Sequence, residues 1–391
     1  MELLAPAGSM EALRAAVCNG ADAVYLGAGT FNARMNARNF SAADLQEAVV
    51  YCHVRGVKVH LTLNTLVLDR EMQRAADLIR MAAAFGVDAF IVQDLGVVSL
   101  CKEIAPDVPV HASTQMSIHS LEGVLEAAAL GCSRVVLSRE LPASEIAYIC
   151  KKSPVEIEVF VHGALCMCYS GQCYLSSVIG RRSGNRGQCA QPCRLPYGYG
   201  RFESTRYPLS LKDNCLAGEL DELRRMGVAS IKIEGRMKTA LYVATVARTY
   251  RKAIDDYFAD PDLYEKNMGW YKAEISKCTY RQFTTGFYFG KPDENTQIYD
   301  NNTYVNEYIY LGIVEAVKDS LCRIEQRNKF CVGDSIEIMK SDGTNVPVTV
   351  EAMYTEDGES VDSAPHPKQV LWIKLSETPE KFDLLRQRND E

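Results

Sequence analysis

The segment RVVLSRELPASEIAYICKKSPVEIEVFVHG, residues 134–163, holds one complete structural unit. It begins with a short β-branched run. A polar turn ending at Pro142 follows, then an amphipathic stretch, then a second apolar run. Runs rich in Val and Ile with no polar alternation read as strands buried on both faces. A strand, a helix and a strand in this order imply a parallel pair joined by a helical crossover.

The same unit recurs through the first 255 residues. Strand-like LLAPAG precedes the helix SMEALRAAVCNG, and AVYLGAG leads to SAADLQEAVVYCHVRG. VKVHLTLNT precedes REMQRAADLIRMAAAFG, and AFIVQD precedes LGVVSLCKEIA. VPVHASTQM precedes SLEGVLEAAALG, EIEVFVHG opens a cysteine-rich insertion, and SIKIEG precedes TALYVATVARTYRKAIDDYF. Eight alternating units predict an α/β fold, a (β/α)8 TIM-like barrel. An open doubly wound sheet is the competing architecture. No GxGxxG follows the first strand, which argues against dinucleotide binding.

The expected division is a barrel domain over 1–258 carrying a Cys-rich loop at 163–215, a connecting segment at 259–304, and a small C-terminal β-barrel over 305–391. The last part shows five strand-like runs, YIYLGIVEAV, CRIEQR, DSIEIMK, VPVTVEAMY and QVLWIKL, separated by turns such as VGD and SDGT. The net charge of −7 resides there, with 10 Lys+Arg against 17 Asp+Glu from Val305 onward. Residues 163–206 carry six Arg and one acid, Glu203. A neutral body with a basic loop and an acidic end differs from a generally basic nucleic-acid binder. The N-terminus lacks a secretory pattern and no run reaches membrane-span length, so the chain reads as cytoplasmic with no membrane partner.

Chemistry in such a barrel collects at the C-terminal ends of the strands. Polar residues cluster there: Asn64, Gln93, Asp94, His111, Ser113, Gln115, Ser138, Arg139, Glu140, His162, Lys232, Glu234 and Arg236. His162, Lys232 and Glu234 are the candidates for moving a proton, from position alone. Arg181, Arg182, Arg186, His111 and Arg236 are the candidates for holding substrate. Several members of this set have the alternative of merely capping the following helix or pairing with one another.

Six of the fourteen cysteines crowd between 166 and 215, spaced Cys166-x-Cys168-x4-Cys173-x15-Cys189-x3-Cys193-x21-Cys215. No paired C-x2-C knuckle of structural zinc is present. Irregular, thiol-only spacing suits a [4Fe-4S] cluster. Zinc, and unligated or redox thiols, remain open. Arg181, Arg182, Arg186 and Arg194 favour thiolate and could grip phosphate. His162, four residues before Cys166, raises the possibility of a nucleophilic Cys–His pair. Tyr169, Tyr174, Tyr197 and Tyr199 could stack an unpaired base or simply pack the loop.

The run Glu158-x-Phe160-x-x-Gly163-Ala-Leu-Cys166-x4-Gly171-x-Cys173-x-Leu175-Ser176 resembles the signature of the collagenase-like peptidase family U32. RSGNRGQCAQPCRLPY, LSLKDNC, IKIEGRMK, LLAPAGSMEAL and AVYLGAGTFNAR resemble it too. The family name implies a protease. The family also includes oxygen-independent hydroxylases with a [4Fe-4S] cluster that act on tRNA wobble uridine, ribosomal RNA or a ubiquinone precursor, with prephenate as the implied hydroxyl donor. The resemblance implies Cys166, Cys173, Cys189 and Cys215 as ligands, with Cys168 and Cys193 near enough to substitute. Gln282–Gly290 (QFTTGFYFG) and the C-terminal barrel look most like the branch forming 5-hydroxyuridine in tRNA. The implied partners are tRNA, prephenate or another small hydroxyl donor, and a partner chain. The alternatives are a collagenase-like peptidase, which would lack both HExxH and GxSxG here, and a non-catalytic metal-containing RNA-binding factor.

Overall fold

The computed structural model describes residues 1–198, 206–301 and 304–389. Its first nine strands are β1 Glu2–Pro6, β2 Ala23–Gly27, β3 Lys58–Leu63, β4 Ala89–Val92, β5 Val110–Ala112, β6 Arg134–Val136, β7 Glu156–Ala164, β8 Asp213–Cys215 and β9 Ser230–Ile233. Strands β1 to β7 pair in parallel in chain order, and β9 pairs in parallel with both β7 and β1. The sheet therefore closes into an eight-stranded parallel barrel, and the open-sheet alternative is excluded. Strand β8 is not a stave. It lies antiparallel along the end of β7, with His162 opposite Cys215, and β10 (Phe283–Thr284) adds to its far side.

Local chemistry starts and stops the crossover helices as expected. Ser41 and Asp44 form a reciprocal capping box on the helix Ala42–His53, which satisfies two otherwise unpaired N–H groups. Gly86, at φ 88°, ends the helix Met72–Phe85 in the left-handed region that favours glycine.

One irregularity redirects a side chain at the site. The β7–β9 register shifts between Phe160 and His162. Strict alternation would put Glu158, Phe160 and His162 on one face of β7. Glu158 and Phe160 do point into the barrel. The bulge turns His162 outward, among the rings of Tyr242, Tyr250 and Phe283.

The C-terminal part contains β11 Tyr308–Lys318, β12 Leu321–Glu325, β13 Ser335–Met339, β14 Asn345–Thr355, β15 Ser360–Val361, β16 Val370–Leu375 and β17 Leu384–Arg388. Antiparallel pairing runs β13-β17-β11-β12-β16-β14, and β14 returns to β13, so this sheet closes as well. Leu311, Val314, Ile324, Ile336, Val350, Leu371 and Ile373 fill it. The sequence reading contained five of these strands; β15 and β17 were absent from it. Strand β17 reads as LLRQR, and its Arg386 is fully buried against Glu274 and Glu337.

The small barrel docks on the helices that follow β1 and β9. Tyr310, Ile313, Met339 and Leu384 pack on Ala15, Ala240, Leu241 and Ala244. Arg327 and Tyr310 both reach Glu11, each with a bond of 2.6 Å. No helix among the described residues is long and apolar enough to cross a membrane.

Candidate active site at the barrel mouth

The barrel interior carries a charged layer. Glu158 is fully buried and ion-pairs with Lys232 at 2.9 Å and Arg134 at 3.1 Å. Burial opposes its ionisation, but Lys232 and Arg134 overcome that and hold its carboxyl down at about 2. Arg134 also binds Glu2 and Glu156. His60 and His111 meet edge to face in the same interior, 5.0 Å apart. Burial pushes His60 down to about 4 and His111 well below its ordinary value, so both stay neutral.

Above this layer lies a narrow cleft at the C-terminal ends of the strands. Arg34, Arg139, Lys232 and Arg236 line it, together with Glu234. Glu234 receives Arg34 at 2.9 Å and Arg139 at 3.4 Å. Burial opposes its ionisation, but the two guanidiniums hold its carboxyl below the ordinary range. Arg236 is 3% exposed. It donates to Thr62 Oγ1 and Asn32 Oδ1, each at 3.1 Å, and to Asn39 Oδ1. Burial pushes its guanidinium down to about 10.

The cysteine loop packs across this mouth. A Cβ on Gly171 would stand 2.2 Å from the Gln115 carbonyl oxygen, and one on Gly187 would stand 2.4 Å from that of Asn32. Both glycines have positive φ, so backbone meets backbone where no side chain fits. Two arginines pin consecutive carbonyls just before Cys166. Arg139 donates to Ala164 O at 2.6 Å and Arg194 to Leu165 O at 2.8 Å.

Five thiols share this loop. Burial raises the Cys193 thiol; Arg194 opposes, and Cys166, Cys189 and Cys173 add to the rise. Cys168 is raised by burial and then by Cys173, Cys166 and Cys193. Cys189 Sγ accepts from Gln191 N at 3.3 Å and Ser176 Oγ at 3.8 Å. Among the described residues, no three His, Cys, Asp or Glu side chains have converged into a metal-holding group. Cys215 lies on β8, with its sulfur 3.9 Å from Tyr250 Oη, whereas Cys193 shares the loop of Cys166, Cys173 and Cys189.

The other anticipated residues divide. Lys232, Glu234 and Arg236 meet at the cleft. His162 does not: it is buried outside the barrel, and burial pushes its pKa down to about 3. Cys166 is exposed, so no Cys166–His162 pair forms. His111 sits in the interior layer beneath the cleft. Arg186 donates from Nη2 to both carboxylate oxygens of Glu71, at 2.7 and 2.8 Å, and so is engaged within the protein. Arg181 and Arg182 are exposed. Asp94 caps the helix Leu95–Ile104, and Glu140 binds Ser170 and His119. Tyr169 and Tyr174 are exposed, Tyr197 donates to Pro192 O, and Tyr199 lies outside the described residues.

Sequence reasoning did not single out Arg34, Asn32, Asn39 or Thr62. The signal for Asn32, Arg34 and Asn39 was present in the GTFNARMNARNF loop, where three Asn and two Arg crowd behind a strand end.

The "Peptidase family U32" model matches residues 8–298, and the "Peptidase family U32 C-terminal domain" model matches residues 306–386. The "tRNA hydroxylation protein P1" of Bacillus subtilis (strain 168) is 36% identical, over 98% of this chain and 94% of its own. The "23S rRNA 5-hydroxycytidine C2501 synthase" of Escherichia coli (strain K12) is 44% identical, over 65% of this chain and 39% of its own. A protein named "Collagenase" from Porphyromonas gingivalis is 35% identical, over 80% of this chain and 79% of its own. A barrel whose mouth is covered by a thiol-bearing loop, followed by the small closed sheet, thus carries both family models in order, and the chain belongs to peptidase family U32.

Proposed function

We propose that the protein is an RNA-hydroxylating enzyme that converts a tRNA uridine to 5-hydroxyuridine, using a [4Fe-4S] cluster and a prephenate-linked hydroxyl donor. The observation that carries this reading is the thiol-only loop laid over a cationic barrel mouth. The relative named for tRNA hydroxylation matches across both barrels, whereas the rRNA synthase matches 65% of this chain. That difference favours tRNA.

The donor chemistry fits a cluster. Cys166, Cys173, Cys189 and Cys215 would hold it, the set the family resemblance implies, with Cys193, in the same loop as the first three, as the alternative fourth thiol. The N–H and O–H donors to Cys189 are of the kind that steady a ligating thiolate. When bound, such a cluster supplies redox or Lewis-acid chemistry at the mouth.

The chain's own residues orient the site. Arg139 and Arg194 fix the backbone that carries Cys166. Glu234, kept ionised between Arg34 and Arg139, positions those guanidiniums and is a poor proton acceptor. Exposed Tyr169 and Tyr174 would stack a splayed base, and exposed Arg181 and Arg182 would meet phosphate. The peptidase reading gains nothing from the geometry, since Cys166 is exposed while His162 is buried among the rings of Tyr242, Tyr250 and Phe283.

The test is anaerobic purification with iron and acid-labile sulfide analysis, followed by nucleoside analysis of tRNA from cells lacking the gene. About four iron per chain is expected, with 5-hydroxyuridine lost in the deletion. Cys166→Ala and Cys173→Ala should each lose the iron, and the iron content of Cys215→Ala against Cys193→Ala identifies the fourth ligand. Full iron retention in both Cys166→Ala and Cys173→Ala would overturn the ligand set; unaltered tRNA in the deletion would overturn the substrate.

A further inference from the structure

The segment Gln282–Gly290 (QFTTGFYFG) lines no part of the barrel-mouth cleft. It walls a separate cleft of about 720 Å³ beside β8, a size within the range of small-ligand pockets. The helix Met268–Ile275 contributes to the same cleft through Lys272 and Ile275. Phe283 and Thr284 pair with β8, and the Phe283 ring stacks flat on Tyr280 at 4.5 Å. The turn that follows is anchored at Tyr288. That residue is 3% exposed, donates its hydroxyl to Glu222 Oε2 at 2.7 Å and accepts at its carbonyl from Ala143 N at 2.8 Å. The next side chain, Phe289, is thereby presented at the rim. It is 70% exposed, and Tyr288 braces its ring edge to face at 5.1 Å. A lone exposed phenylalanine is ordinary. One fixed by a buried tyrosine at the lip of a cleft is a pre-ordered apolar plane, which takes a second flat ring at little entropic cost.

Three lysines share the space. Lys212, Lys272 and Lys291 line the cleft, and among the described residues none of them makes an ion pair or a side-chain hydrogen bond. Two carboxyl groups line it with them. Asp293 is committed to Asn295, accepting from its backbone N at 2.9 Å and its Nδ2 at 3.0 Å. Burial raises the Glu219 carboxyl above its ordinary range; Glu222 and Asp221 add to the rise and Lys272 opposes it. The lysines therefore keep charge and donors for a ligand, and an aromatic plane stands among them. An unpaired nucleotide has the matching chemistry, a flat base between two anionic phosphates. A paired base offers no free face.

The cleft adjoins the cysteine loop. Cys215 lines it. A Cβ on Gly286 would stand 3.2 Å from Leu165 Cδ1, next to Cys166. Gln297, which follows the lining residue Thr296, places its Nε2 3.9 Å from Sδ of Met167, between Cys166 and Cys168. We propose that this cleft takes one unpaired nucleotide of an RNA strand, with its base stacked on Phe289 and its flanking phosphates on Lys212, Lys272 and Lys291. The choice of RNA rests on the hydroxylase reading. The cleft adds a contact beside β8, outside the barrel mouth, to those of Tyr169 and Tyr174 in the loop.

The test is fluorescence anisotropy of the anaerobically purified full-length chain with a labelled RNA hairpin bearing an unpaired, uridine-containing loop. A labelled, fully paired RNA duplex and unlabelled UMP as competitor are the comparators. Phe289→Ala should weaken hairpin binding by about tenfold, the loss of one stacked base, and leave its salt dependence unchanged. Phe289→Tyr should restore it. Changing Lys212, Lys272 and Lys291 together to Gln should instead flatten the slope of log affinity against log salt by about 2. All four side chains are exposed or half-buried, so the variants keep the core intact. Unchanged hairpin affinity in Phe289→Ala would overturn the proposal. So would equal losses on hairpin and duplex, which mark a plain cationic surface, or competition by UMP at the hairpin's own affinity, which marks a mononucleotide pocket. Unaltered tRNA in the deletion together with Phe289-dependent hairpin binding would fault the hydroxylase reading and leave this contact standing. Lost 5-hydroxyuridine in the deletion, with hairpin binding intact in Phe289→Ala, would fault this contact alone.

Discussion

Replacing His162 with leucine should leave iron content and RNA modification intact and should make the protein less sensitive to acid. The imidazole is packed among three aromatic rings, and its Nδ1 lies 3.5 Å from Tyr250 Oη. Burial holds its pKa at about 3, against an ordinary value of 6.5. The folded-state pKa is the depressed one, so stability is complete above the unfolded value and is lost as pH falls. The window opens near pH 6.5 and runs down to about 3. Between pH 7 and pH 5 the unfolded chain takes up a proton that the folded chain refuses, which costs about 2 kcal/mol. Urea unfolding of wild-type and His162→Leu protein at these two pH values measures that difference. The variant should retain the part of the acid slope due to His60 and His111, whose pKa values burial also depresses. Identical slopes in the two proteins would refute the buried-neutral assignment. Lost RNA modification in a folded, iron-replete variant would return His162 to the list of catalytic residues.

Glu274→Gln should loosen the junction between the two barrels. Glu274 is buried between Arg248 and Arg386, and its removal leaves two buried guanidiniums short of a counter-charge, at a cost of about 3 kcal/mol read from urea unfolding. A midpoint equal to wild type would show that Glu337 suffices for both. Gly27→Ala should lower stability by about 1–3 kcal/mol in urea unfolding, because the added methyl group occupies the space of the buried Arg236 guanidinium. An unchanged midpoint would mean that Arg236 can move aside at no cost.

Strand β7 shows where sequence reasoning stops. Its alternation predicts that Glu158, Phe160 and His162 share a face, and two of the three do. The bulge that diverts His162 depends on how β7 pairs with β9, a strand about seventy residues away. The mouth residues show the same limit. Lys232, Glu234 and Arg236 were legible because strand ends in this architecture point at the site. Arg34 was not, because it comes from an irregular loop with no periodicity. Asp94 and Arg186 looked like site residues, yet the fold uses them as a helix cap and an ion pair.

By itself, the sequence determined the alternation of parallel strands and helices, the small second barrel and the crowding of thiols near one strand end. These follow from hydrophobic period and composition, which act locally. Only the tertiary structure decided that His162 turns away from the barrel interior, that β17 hides a buried arginine, and that Asn32, Asn39 and Thr62 enclose Arg236. Such choices depend on charge neutralisation and close backbone approach between residues that lie far apart in the chain. No local pattern encodes them.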